Sequence, residues 1–129
     1  MNGTASAAET VVPADPASVA EARRWVANCA RSGGATDDAV SSSLLVTSEV
    51  VTNAIVHASA TTSVIIRARL DGTDLTVTVL DEDTRPPVPR QGRAGLPGGQ
   101  GMHIVEALSS RWGWHRQPKG KAVWFTISW

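Results

Sequence analysis

Glu49-Val50-Val51-Thr52-Asn53-Ala54-Ile55-Val56-His57 is the stretch on which the reading of this chain turns. It lies in a run of helical periodicity from Thr36 to Ser59, and the i, i+4, i+8 spacing of Glu49, Asn53 and His57 stacks a carboxylate, a carboxamide and an imidazole on one helix face. The helical neighbours Leu45, Val46, Val50 and Val56 are apolar, so the polar row is expected within an apolar surface. A carboxylate half-buried there needs a cation or several hydrogen bonds. No Lys or Arg stands between Arg31 and Arg67. The partner must come from elsewhere: a distant side chain, a metal ion with its water shell, or a ligand. Such triplets also arise by chance on solvated helix faces, and the rest of the chain decides between the two.

The length of 129 residues suits one domain with a single core. With 42% hydrophobic and 19% charged residues the composition is that of a globular protein rather than a disordered tail. Twelve basic residues balance twelve acidic ones, which disfavours direct nucleic-acid binding. The single cysteine, Cys29, excludes an internal disulfide and suits a reducing, cytoplasmic setting. Three scattered histidines give no zinc-ligand spacing. Residues 1–9 are small and polar, lack the pattern of a signal peptide, and are expected to be a flexible N-terminus. No apolar run approaches a membrane span, so no membrane partner is expected.

Glu9 to Val12 suggests a short strand. Asp15-Pro16 is a helix N-cap followed by proline at the first helical position, and that helix, 16–32, stops at Gly33-Gly34. Thr36, Asp37 and Asp38 open the central helix, 36–59. The period then falls from 3.6 to about 2. Val64, Ile66, Ala68 and Leu70 alternate with Ile65, Arg67 and Arg69, and Asp71-Gly72 turns the chain into the strand Leu75 to Asp81, giving a hairpin. Leu75, Val77, Val79 and Asp81 share a face, so a carboxylate ends an apolar row.

From Glu82 to Gly101 the chain carries Pro86, Pro87, Pro89 and Pro97 among Gly92, Gly95, Gly98, Gly99 and Gly101, the composition of a functional lid or a disordered segment. It ends on Gly99-Gln100-Gly101, directly before a helical run from Met102 to Ser110. Glycines there allow close approach to a ligand, and free N–H groups at a helix start attract phosphate. Trp112 to His115, a turn at Pro118-Lys119-Gly120 and the strand Ala122 to Trp129 complete a second hairpin. Five tryptophans would suit base stacking, but on strands beside Val123, Phe125 and Ile127 they fit a core or a covered interface better.

The order of these motifs over residues 10–129 resembles the ATP-binding domain of the GHKL superfamily, which includes gyrase, heat-shock chaperone and histidine-kinase ATPases. It is most similar to the bacterial anti-sigma-factor serine-kinase branch. Glu49-x-x-x-Asn53-x-x-x-His57 looks like that branch's N box, Val79-Leu80-Asp81 like its adenine motif, and Gly99-Gln100-Gly101-Met102 like its second glycine box. The resemblance implies ATP and Mg²⁺ as cofactors. Asn53 would be the metal ligand, Glu49 the catalytic base toward an acceptor hydroxyl or a water, and Asp81 the acceptor for the adenine amino group. His57, Gly99, Gly101 and Met102 would complete the nucleotide site. Two departures from the family pattern stand out. Asp81-Glu82-Asp83 replaces Asp-x-Gly, and Ala122 is aligned with a threonine that commonly joins the adenine contact.

The expected fold is an α+β two-layer sandwich, a mixed, mostly antiparallel sheet covered on one face by helices 16–32, 36–59 and 101–110. The expected function is that of an Mg-ATP-dependent protein serine kinase and anti-sigma factor. Its partners would be a sigma factor, an anti-sigma-factor antagonist protein or both, with a second copy of the chain, in a homodimer, as a further candidate. The rival is a protein-binding module that uses ATP only as a conformational ligand, or has lost it. A nucleic-acid binder using the tryptophans with Arg85, Arg90 and Arg93 is disfavoured by the neutral charge.

Overall fold

Alternating apolar residues on three strands set the middle of the molecule. The computed structural model describes residues 5–56, 62–83 and 101–129. The elements in chain order are β1 (Ser6–Pro13), α1 (Ser18–Ser32), α2 (Asp37–Val56), β2 (Ser63–Asp71), β3 (Asp74–Asp81), α3 (Gly101–Leu108), β4 (Arg111–Gln117) and β5 (Gly120–Ser128). The sheet order is β1-β2-β3-β5-β4, and every one of these pairings is antiparallel, so the sheet is not mixed. Both hairpins fall where the turn residues place them, with Gly72 at φ +63° supplying the left-handed residue between β2 and β3.

Val64 and Ile66 of β2, Leu75, Val77 and Val79 of β3, and Phe125 and Ile127 of β5 point to one side and are buried there. They meet Ala22, Val26 and Ala30 of α1, Val46, Val50, Val51 and Ala54 of α2, and Val105 of α3 in one core. The helices therefore cover a single face, as the alternation requires when only one face of a sheet is apolar. The opposite face carries polar or mixed pairs: Arg67 Nε donates to Glu9 Oε1 at 2.6 Å, and the Thr76 and Thr126 hydroxyls meet at 2.8 Å. Trp124 lies there too, packed so closely over Gly113 that a Cβ at that glycine would come within 2.9 Å of the indole. Trp25, Trp112, Trp114 and Trp129 are partly buried against the core, which accounts for them as packing residues.

Element boundaries shift for local reasons. Asp15 does not cap the helix: its Oδ1 accepts from the Ala17 N–H at 2.8 Å and closes a turn over Pro16 and Ala17, while α1 starts at Ser18 with Ala17 as its N-cap and no side-chain cap bond. Gly34, at φ +80°, follows α1 as expected. Thr36 Oγ1 accepts from the Ala39 N–H at 3.1 Å and opens α2. β1 begins at Ser6, three residues ahead of the expected strand and inside the segment expected to be flexible, because β2 supplies a hydrogen-bonding edge that Ser6 to Glu9 follow without any apolar pattern of their own. By length and mean hydropathy (1.4) α2 would be able to cross a membrane, against expectation. Its apolar side is instead spent on α1, α3 and the sheet. The far end of the expected central helix (57–59) and residues 84–100 of the expected lid, with Arg85, Arg90 and Arg93, lie outside the described residues.

Candidate functional site

α2 lies between α1 and α3 over the middle of the sheet, and this position carries Glu49 and Asn53 to the edge of the core. The surroundings of the row differ from expectation on one side. Val46 and Val50 are buried, whereas Leu45 and Val56 are 53% and 59% exposed, so the Glu49–Asn53 row runs along the border between core and surface. Glu49 and Asn53 are accordingly half-buried. Their one-turn separation is fixed by the helix itself.

Asn53 is the more informative of the two. Its Nδ2 donates to the Met102 sulfur at 3.6 Å, which ties the N-terminal end of α3 to α2. Its Oδ1 is buried and has no hydrogen-bond partner among the described residues. A covered amide oxygen without a donor is costly and calls for an explanation, such as an ion or a water. A hard cation such as Mg²⁺ would suit it, since Mg²⁺ takes oxygen ligands, keeps several waters and draws its remaining ligands from substrate phosphates. The described residues contain no cluster of three or more His, Cys, Asp or Glu that would hold a metal alone. Gly101 is the first residue of α3, and Met102 after it is buried beside Asn53, so the second glycine motif meets the helix row through Met102. Gly99 and His57 lie outside the described residues.

Asp81 occupies a different environment. It ends β3 on the core side of the sheet, as the alternation predicts, and it is buried rather than frayed into solvent. Its Oδ1 accepts the Asp83 backbone N–H at 2.8 Å, and Lys121 Nζ lies 3.0 Å from Oδ2 and 3.3 Å from Oδ1. Burial pushes the Asp81 carboxyl above its ordinary value, opposed by the hydrogen bond from Lys121 and that from the Asp83 N–H. Beside it, Glu82 turns outward. Its Oε1 accepts from Thr62 N–H at 2.8 Å, Thr62 Oγ1 at 2.9 Å and Ser63 N–H at 3.4 Å, and these bonds hold its carboxyl below the ordinary range.

Lys121 went unnoticed in the sequence, and its partner corrects the alignment of Ala122. Ala122 pairs with Leu80 and lies on the opposite face of the sheet from the Asp81 carboxylate, whereas Lys121 pairs with Asp81 in the ladder. The signal was available: by the period of 2, Lys121 falls in phase with Val123, Phe125 and Ile127, and a lysine in a core-facing phase requires a buried anion. The Asn53 oxygen thus lacks a partner among the described residues, whereas the Asp81 carboxylate is engaged from within the chain.

A family model described as a histidine kinase-like ATPase domain matches residues 12–127. Among solved structures, the RsbU and RsbW domains of Rv1364c from Mycobacterium tuberculosis align over 95% of this chain and 32% of that chain, with 20% identity and a TM-score of 0.74. The histidine kinase domain of a blue-light-activated histidine kinase from Erythrobacter litoralis aligns over 91% of this chain and 61% of that one, with 18% identity and a TM-score of 0.52. At these identities the likeness is one of fold, and the chain spans less than two thirds of either structure. No curated protein matches in sequence.

Proposed function

The chain belongs to the histidine kinase-like ATPase domain family, and from that premise we propose that it is a nucleotide-dependent protein serine kinase acting as an anti-sigma factor. In this reading it works in the cytoplasm, phosphorylating a small antagonist protein and holding a sigma factor by turns. The observation that carries the reading is the buried, unpartnered Asn53 Oδ1 one helical turn from the Glu49 carboxylate. The fold shared with a structure that includes an RsbW domain agrees with it.

Bound Mg-ATP would supply a γ-phosphoryl group whose charge the metal offsets. Asn53 would offer the neutral oxygen that positions the metal, and Met102, holding the Asn53 amide nitrogen, would keep that oxygen turned toward it. Glu49 would orient a serine hydroxyl and accept its proton. Its half-buried setting limits competition from bulk water. The test is transfer of labelled γ-phosphate from ATP to a serine of a purified antagonist protein. Absence of transfer to the true partner would remove the kinase from the reading.

One observation favours a second reading, a binding module regulated weakly or not at all by nucleotide: Asp81, the residue expected to receive adenine, is engaged by Lys121. Partner affinity that does not respond to added nucleotide would decide for this rival.

A further inference from the structure

Asp81 and Lys121 face each other across the β3–β5 ladder, on the side of the sheet that bears the helices. Their side chains are 1% and 6% exposed. Both carboxylate oxygens are in use, Oδ1 by the Asp83 N–H and the ammonium, Oδ2 by the ammonium. Gly120 enforces the arrangement: a Cβ there would overlap the backbone carbonyl oxygen of Asp81, so the start of β5 is pressed against the end of β3 and the Lys121 Cα is set within reach of the carboxylate.

Resting on the reading that a purine nucleotide brings its base to Asp81, we propose that Lys121 is a specificity-determining residue that stands in for the amino group of adenine. An adenine amino group would offer a neutral N–H to the Asp81 carboxylate. The lysine ammonium offers N–H groups to the same oxygens and adds the attraction of a full positive charge, which a neutral base lacks. It is also tethered, so it loses little freedom on binding, whereas a free base pays for its capture. Adenine reaches Asp81 only if Lys121 withdraws from a buried partner, which the low dielectric opposes. Guanine carries a carbonyl where adenine carries the amino group, and a free carboxylate would repel it. The wild-type site therefore holds a nucleotide by its phosphates and metal, with little selection for adenine.

Calorimetry of Mg-ATP and Mg-GTP with the full chain and with Lys121→Thr tests this. Wild type is expected to bind the two nucleotides within about tenfold of each other. Releasing Asp81 should tighten ATP by roughly 10- to 100-fold, the range expected for a hydrogen bond to a charged group, and leave GTP no tighter or weaken it. Adding Asp81→Asn to Lys121→Thr should remove most of the gain. Should Lys121→Thr fail to fold, as circular dichroism would show, the ATP-to-GTP ratio of wild type decides alone. A wild-type preference for ATP above about 100-fold, or a folded Lys121→Thr that binds ATP no better, overturns the role of Lys121 and leaves the kinase reading intact. If neither protein binds either nucleotide, both fall.

Discussion

The two ends of the candidate site carry opposite electrostatic states. At the α2–α3 end, among the described residues, Asn53 Oδ1 is an acceptor without a donor, beside a carboxylate that makes no ion pair. At the β3–β5 end, Asp81 is an acceptor with donors on both oxygens. The first state is an unfinished site, favourable only when something external arrives. The second is complete within the chain, so an external ligand must displace what is there. Membership of one fold family thus leaves open how strongly each half of a nucleotide is held, because single residues on fixed backbones set that strength.

The largest expected effect lies at the unfinished end. Glu49→Gln keeps shape and most hydrogen bonding but removes the charge, so phosphotransfer should fall about 10²- to 10⁴-fold while nucleotide affinity holds or rises. Transfer at the wild-type rate, measured on the same preparation as affinity, would take Glu49 out of the mechanism. The completed end should instead dominate stability. Lys121→Met leaves a buried carboxylate unpaired and should cost about 3–5 kcal/mol in urea denaturation, with most of it recovered in the Lys121→Met, Asp81→Asn double variant. Equal losses in single and double variants would show that the pair is not coupled.

Asn53→Ala sharpens the contrast with a smaller effect. Because Oδ1 satisfies nothing among the described residues, its removal should change stability by less than about 1 kcal/mol while weakening Mg-ATP by about tenfold. A large loss of stability would mean that the oxygen has a structural role. The smallest effect concerns pH. Asp81, raised by burial, contributes stability that is present below its ordinary value of 3.8 and lost as pH rises through its raised value. Glu82, lowered by Thr62 and Ser63, contributes stability present above its ordinary value of 4.5 and lost as pH falls through its lowered value. Glu82→Gln should flatten the decline below 4.5 in denaturation midpoints across pH, and an unchanged profile would mean that the Thr62 clamp does not persist in solution.

Much was legible in the order of residues, for identifiable reasons. The period of 2 in Val64 to Leu70 and Leu75 to Asp81 announced which face of the hairpin would be buried, since alternate side chains leave a strand on opposite sides. Gly72 and Gly34 marked two turns because only a residue without a Cβ enters the left-handed region freely. The helical spacing of Glu49 and Asn53 was sufficient to put them on one ridge. β1 was only half legible, since Ser6-Ala7-Ala8 takes its extended form from the edge of β2 rather than from its own pattern.

Spacing along the chain therefore determines the hairpins, the helix row and the apolar faces, all of which are set by repeat geometry within a few residues. Tertiary structure alone decides the rest. It brings Met102 to Asn53, forty-nine residues away, and leaves the amide oxygen covered without a donor among the described residues. It sets the β3–β5 register, in which a shift of one residue would place Ala122 rather than Lys121 opposite Asp81. Whether a buried carboxylate waits for a ligand or is already neutralised depends on which side chain the ladder delivers to it, and pairing between strands forty residues apart is not written in either strand alone.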